Sequence, residues 1–218
     1  MMELEHTVRL IALYAIPGIF AITLHEAAHG YAARHFGDLT AYQAGRITLN
    51  PIRHIDPMGT IVIPILILIA SGGKYAFGWA KPVPVNFSRL RNPKRDMLWV
   101  AAAGPGSNLL MAIFWAFVIK AVHGVPPNYF TEPLLLMAQG GIIINAVLMV
   151  LNLFPLPPLD GGRIAVSLLP QRLAYHFARI EPYGMIILLV LMFLGVLGVV
   201  MLPFVNAFIG ALASVFNI

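Results

Sequence analysis

The sequence predicts an all-α integral membrane protein, a bundle of about five or six membrane segments. Hydrophobic residues fill 59% of its 218 positions and charged residues only 11%, whereas a soluble domain carries about 25% charged residues. The mean hydropathy is +0.82. The apolar residues also gather into runs, at 8–36, 58–71, 97–122, 132–154 and 184–217. Short loops rich in Pro, Gly and Arg separate them. The chain reads as one domain, 1–218, with a working core from about 8 to 170 and C-terminal membrane segments at 184–217.

Taken in order, the runs differ in what they can do. A span needs roughly 20 apolar residues at a rise of about 1.5 Å each. The runs 8–36, 97–122 and 132–154 reach that length, and 184–217 is either one helix or a short pair broken near Pro203. The run 58–71, "MGTIVIPILILIAS", is too short and carries Pro64. It reads as a segment that enters and leaves the bilayer by one face; the alternative is a crossing, which puts the N-terminus inside and His25 and His29 deeper in the bilayer. Just upstream, "ITLN" at 47–50 favours a strand, an edge beside which an extended substrate can pair. The stretch 40–71 is therefore expected to hold a short re-entrant or β segment.

The net charge of +5 reports topology here, and no nucleic-acid partner is expected. The loop 73–96 holds Lys74, Lys81, Arg89, Arg91, Lys94 and Arg95, and 155–183 holds Arg163, Arg172 and Arg179. The loop 123–131 has no Lys or Arg. Basic loops stay in the cytoplasm, so 73–96 and 155–183 face in. Residues 1–7, with Glu3 and Glu5, face out together with 123–131. The chain has no cysteine, which excludes disulfides and thiol catalysis.

Ionisable residues at membrane depth are costly and usually functional. That singles out "AITLHEAAHGYAARHFGD", residues 21–38. His25 and His29 lie one helical turn apart on one face and can reach one ion. Zinc takes imidazole nitrogen, and three protein ligands leave one position open for water. Glu26 sits about 100° round the helix from His25, placed to take a proton from that water.

A third ligand must come from the few remaining acidic or histidine residues. Asp38, Asp56 and Asp96 sit in loops beside basic or turn residues. Asp160 stands in "NLFPLPPLDGGRI", 152–164, directly after an apolar run. Pro155, Pro157 and Pro158 prevent regular helix before it, and Gly161 and Gly162 widen the backbone's choices after it. Its other reading is an N-cap for a helix at 161–170.

Together these strings resemble the site-2 protease family, zinc metalloproteases that cut transmembrane substrates within the bilayer. The family pattern joins HExxH, here "HEAAH", to an Asn/Asp-x-x-Pro-x-x-x-Leu-Asp-Gly run on a later helix. Asn152, Pro155, Leu159, Asp160 and Gly161 fill the second in register. "AAAGPGSN", 101–108, is similar to the Gly-x-x-x-Asn signature between them, through Gly104 and Asn108. The resemblance implies that His25, His29 and Asp160 bind one zinc per chain and that Glu26 is the general base. It implies membrane-spanning proteins or peptides as substrates and a prokaryotic cell membrane, and the basic loops place the site toward the cytoplasm. It points to the compact branch, with no room for a PDZ or CBS module.

Three further polar residues each admit two readings. Asn108 either donates to a developing oxyanion or serves as helix-packing glue. Asn152 either binds substrate backbone or satisfies carbonyls freed by Pro155. His54 either shuttles protons at the cleft or is a satisfied loop histidine. His6, His35, His123 and His176 read as structural or interfacial. A membrane metal transporter would also use buried His and Asp, but leaves Glu26 unexplained. A non-proteolytic client-binding homologue would not need the complete set.

Overall fold

The structure, a computed structural model, describes residues 2–73 and 78–218, with side chains from Leu13 onward. Lys74, counted above among the loop charges, and the side chains of Glu3, Glu5 and His6 lie outside the described residues. The helices are α1 (Met2–His35), α2 (Thr40–Gln43), α3 (Ile63–Ala70), α4 (Pro93–His123) and α5 (Thr131–Asn152), then α6 (Asp160–Leu168), α7 (Gln171–Ala178), α8 (Glu181–Phe193) and α9 (Val196–Phe216). No strand occurs among the described residues.

Helices α4, α5 and α9 are long and apolar enough to cross a membrane, and α7 with α8, bent by 63°, can count as a fourth span. Length and composition thus give three or four spans among the described residues, below the five or six expected. Large apolar side chains stand open on the outer faces, Val199 at 75% and Val215 at 77% exposure. Water would not tolerate such a surface, and lipid does. The chain is a multi-pass membrane protein.

The inner bundle is α1, α4 and α5. Helices α1 and α4 run antiparallel: His25 bonds Asn108, and His29 bonds the carbonyl of Val100, nearer the start of α4. Farther along α1, Ala33 packs with Val100 and with Leu90 of the preceding loop. Helix α5 runs parallel to α1, with Tyr14 against Gly140 and, two turns on, Ala21 joined through Asn108 to Asn145. Helix α9 closes the far end, where Leu212 packs with Trp115, Ile119, Ala138 and Ile142. Near the opposite end Leu197 and Met201 of α9 join Leu188, Met192, Leu156 and Ile67.

Two expectations are corrected. The C-terminal run is indeed a pair of helices, but the break falls at Leu194–Gly195 and Pro203 lies inside α9. Gly195 has φ +74°, a left-handed conformation that glycine adopts at little cost and that ends helices. A proline within a helix in lipid survives where neighbours satisfy the freed carbonyl. Residues 47–50 form no strand. Asn50 instead accepts from the N–H of Ile52 to start a short 3-10 turn, Pro51–His54. Such local side-chain bonds compete with a sheet ladder, and Pro51 has no N–H to give one.

The apolar segment after this turn is helical. Asp56 caps it, Pro57–Val62 forms a π-helical turn, and α3 continues it. The wide turn accommodates Pro64, which cannot complete an ordinary α-helical bond. The two ends of this excursion meet. The N–H of Trp79 donates to Gly59 O at 3.0 Å, its indole donates to Asp56 at 3.3 Å, and Lys81 N donates to His54 O at 2.9 Å. A segment whose ends are tied together returns to where it began, so residues 48 and 88 are expected on one side. Single cysteines at Thr48 and Ser88 are expected to label with an impermeant thiol reagent from the same side, and one at Asn128 from the other. Labelling of Thr48 and Ser88 from opposite sides would show that 57–70 crosses the membrane.

Candidate metal centre

His25 and His29 lie ten and six residues before the end of α1, about 15 and 9 Å inside the bundle. Asp160 is brought to them by a loop rather than by a long helix. The α5 helix stops at Asn152, and the proline-rich turn that follows, with a cis Pro157–Pro158 bond, leads to α6. Asp160 is the first residue of α6 and Leu159 occupies the cap position, so Asp160 does not act as the N-cap.

Gly161 and Gly162 are ordinary helical residues with negative φ. What they provide is closeness. A methyl group at Gly161 would lie 2.2 Å from Leu153 O, and one at Gly162 2.2 Å from Pro157 N. Gly184 of α8 backs the same turn, where a methyl would lie 1.6 Å from Pro157 O. The loop is pressed between backbone surfaces, and Asp160 follows from its shape.

The three side chains meet. His25 Nε2 and His29 Nε2 each lie 3.3 Å from Asp160 Oδ2, and 3.1 Å from one another. They are 9, 12 and 12% exposed for His25, His29 and Asp160. The outer nitrogens define the rings: His25 Nδ1 donates to Asn108 Oδ1 and His29 Nδ1 to Val100 O, both at 2.7 Å. A neutral ring with its proton on Nδ1 presents a lone pair at Nε2. Two such nitrogens and a carboxylate oxygen, itself buried without a hydrogen-bond partner among the described residues, offer three ligand atoms to one ion.

That donor set fits a zinc ion. Tetrahedral ligands about 2.0–2.1 Å from zinc stand about 3.3–3.4 Å apart, close to the 3.1–3.3 Å observed. Room for an ion comes from Gly104 of α4, where a methyl would lie 2.4 Å from His29 Nε2 and 2.6 Å from His25 Cε1.

The remaining candidates fall in different places. Asn108 is wholly buried, and its amide nitrogen donates to Ala21 O at 3.3 Å and to Asn145 Oδ1 at 3.0 Å. Both amide hydrogens are engaged, so none is left for a substrate carbonyl, and the oxyanion reading of Asn108 does not suit this geometry. Asn145 donates onward to Gly141 O at 2.8 Å. Sequence reasoning passed over Asn145, although a polar residue within an apolar run was a signal. Asn152 donates to Leu148 O at 3.0 Å. That carbonyl lies too far back to be one freed by Pro155. His54 is buried away from the cluster and donates from Nε2 to Thr48 O at 2.9 Å. Glu26 is half-buried beside His25, and its Oε2 accepts from the N–H of Val83 at 2.7 Å.

A membrane bundle enclosing two histidines and an aspartate at zinc-ligand spacing defines a membrane protein with a candidate metal centre. Comparison with known proteins agrees. The Peptidase family M50 profile matches residues 126–195. A Bacillus subtilis (strain 168) protein named "Putative zinc metalloprotease YwhC" is 40% identical over 94% of this chain and 90% of its own. A Mycolicibacterium smegmatis protein named "Putative zinc metalloprotease Rip2" is 30% identical over 80% of this chain and 64% of its own. No solved structure matches significantly. The chain belongs to peptidase family M50, the site-2 protease family, and is a zinc metalloprotease.

Gly104→Ala would put a methyl group against both imidazoles. Zinc affinity is expected to fall by at least the ~10–100-fold typical of losing a supporting partner, measured as metal content after dialysis against a graded chelator. Unchanged affinity would mean that the ion sits away from Gly104.

Proposed function

We propose that this protein is an intramembrane protease that hydrolyses peptide bonds of membrane-spanning substrates, with one zinc held by His25, His29 and Asp160. The observation that carries the reading is the convergence of two imidazole nitrogens and a carboxylate oxygen at 3.1–3.3 Å, buried about two turns inside a bundle whose outer faces are apolar. Zinc supplies a Lewis acid that makes water acidic near neutral pH.

The other parts follow from the chain's own residues. Asn108 and the Val100 carbonyl hold the two imidazoles with Nε2 facing inward, and Asn145 holds Asn108. Glu26 is the general base: Oε1, which bonds nothing among the described residues, takes the proton of the attacking water and returns it to the leaving amine. Asn152, with Oδ1 free, is a contact for substrate backbone. His54 shapes the loop rather than shuttling protons. A substrate helix must unwind first, since helical carbonyls are engaged in their own hydrogen bonds. The basic loops at the α4 and α6 end support a site that opens toward the cytoplasm of a prokaryotic cell. The entire chain works as one unit, because α8 braces the loop that carries Asp160.

Two substitutions test the roles. Glu26→Gln is expected to retain about one zinc per chain while cleavage of a transmembrane peptide falls on the order of 10²–10⁴-fold. Zinc lost with Glu26 would make it a ligand instead. Asp160→Ala is expected to lose both zinc and cleavage, and full zinc affinity would place the third ligand elsewhere. Wild-type protein that moves metal across vesicles and cuts nothing would identify a transporter. Zinc-loaded wild-type protein that binds the peptide without cutting it would identify a client-binding homologue.

A further inference from the structure

We propose that the backbone N–H of Val83, isolated between Pro82 and Pro84, is the positioning group for the Glu26 carboxylate. The inference rests on the reading of Glu26 as general base and adds to it the group that aims the base. Glu26 has three side-chain torsions and sits one residue from a zinc ligand. Left alone, it can turn either oxygen toward the ion or swing away. The bond from Val83 N to Oε2, at 2.7 Å, engages one oxygen and leaves Oε1 as the free one.

The strap that delivers this N–H is built to hold still. "KPVPVN", 81–86, is extended chain with no helix. Proline has no N–H and fixes its own φ, so Val83 carries the sole donor of residues 82–84. On one side of it, Lys81 N donates to His54 O at 2.9 Å. Arg46 Nη2 donates to Lys81 O at 2.8 Å and to Pro82 O at 3.4 Å. On the other side, Asn86 N donates to Asp38 Oδ2 at 2.7 Å. Val83 itself is buried, its side chain turned onto α1 where a methyl at Gly30 would lie 3.3 Å from Cγ1. Glu26 and Asp38, at two levels of α1 and just beyond it, thus clasp the strap at positions three apart. Position 54 finds its use here, through its carbonyl rather than its imidazole.

An oriented carboxylate matters because misplacement of a catalytic group by about 1 Å can cost on the order of 10²-fold in rate. The test is an ester in place of the Val83 amide, made by incorporating the α-hydroxy analogue of valine into the full chain. This removes the N–H and keeps the side chain. The turnover number is expected to fall roughly 10–100-fold, with KM and zinc content unchanged. Val83→Pro, which also removes the N–H but retains an amide, should show the same split. The ester at Val85, whose N–H bonds nothing described, should leave turnover intact. In ¹⁵N-labelled protein the Val83 amide proton should lie downfield and move upfield in Glu26→Gln, a readout independent of cleavage. Unchanged turnover in both Val83 variants, or an amide signal indifferent to Glu26→Gln, overturns the proposal. So does a rise in KM alone, which would make the strap a substrate contact, or faster cleavage, which would make it an obstruction. Zinc loss from both variants would make the bond structural and overturn it too. Active Glu26→Gln protein would instead refute the general-base reading, so the two failures are distinct.

Discussion

Two imidazole lone pairs and a carboxylate oxygen repel one another, yet this fold holds them 3.1–3.3 Å apart in a nearly dry interior. A cation bound between them relieves the repulsion. The acceptors on the far side of each ring fix its tautomer, keeping the proton of a neutral imidazole on Nδ1 and turning Nε2 inward. Asn108 presents its oxygen to His25 because its nitrogen faces Ala21 O, which can only accept, and Asn145 Oδ1. Asn145 is oriented in turn by Gly141 O. A relay of amides therefore runs from the backbone of α5 through α4 to the metal side of α1. Helix α4 contributes three elements within nine residues: the Val100 carbonyl, the bare face of Gly104 and the Asn108 amide. A cation is the natural occupant, since buried like-signed groups are tolerated only when compensated.

The rest of the architecture fits around that demand. Asp160 comes from a break: the chain leaves helix after α5 and makes a compact turn that glycines of α6 and α8 allow other backbone to approach. At the start of α4, Lys94 reaches Leu169 O at 2.6 Å, and Ser167 bonds Lys94 O. These contacts fasten α6 to α4, hence Asp160 to Gly104. Asp38 is held below the usual carboxylate range: burial alone would raise it, and the hydroxyl and N–H of Thr40, the N–H of Asn86 and the charge of Arg89 more than offset that. An ionised Asp38 keeps the strap anchored above the unperturbed carboxylate value, and the anchor weakens on acidification through its own lower value.

Legibility in the sequence followed the range of each interaction. The His25/His29 spacing is local and helical, so it could be read directly, and Asp160 stood out through its prolines and glycines. Partners contributed by backbone could not be read: the Val100 carbonyl and the Val83 N–H have no residue signature, since any residue supplies them. Asn145 was readable and overlooked. Asn108 was found, but its direction depends on Ala21 and Asn145, and only their positions turn a candidate donor into an acceptor for His25. The expected strand at 47–50 yielded to the Asn50–Pro51 pair, and the C-terminal break went to Gly195, whose left-handed backbone ends a helix more firmly than Pro203 does within lipid.

The contact between Gly184 and the Pro157 turn has a consequence for the order in which the molecule comes into being. A nascent chain emerges from its N-terminus, so α1, with His25, Glu26 and His29, is made before any of their partners exists. Asn108 arrives some eighty residues later, Asp160 some fifty after that, and the brace at 184 last of all. Throughout that interval three polar side chains on an otherwise apolar helix lack the partners they have in the finished fold. A chain that stops short of α8 can therefore hold both imidazoles through Val100 and Asn108, but the turn that carries Asp160 is left without its brace.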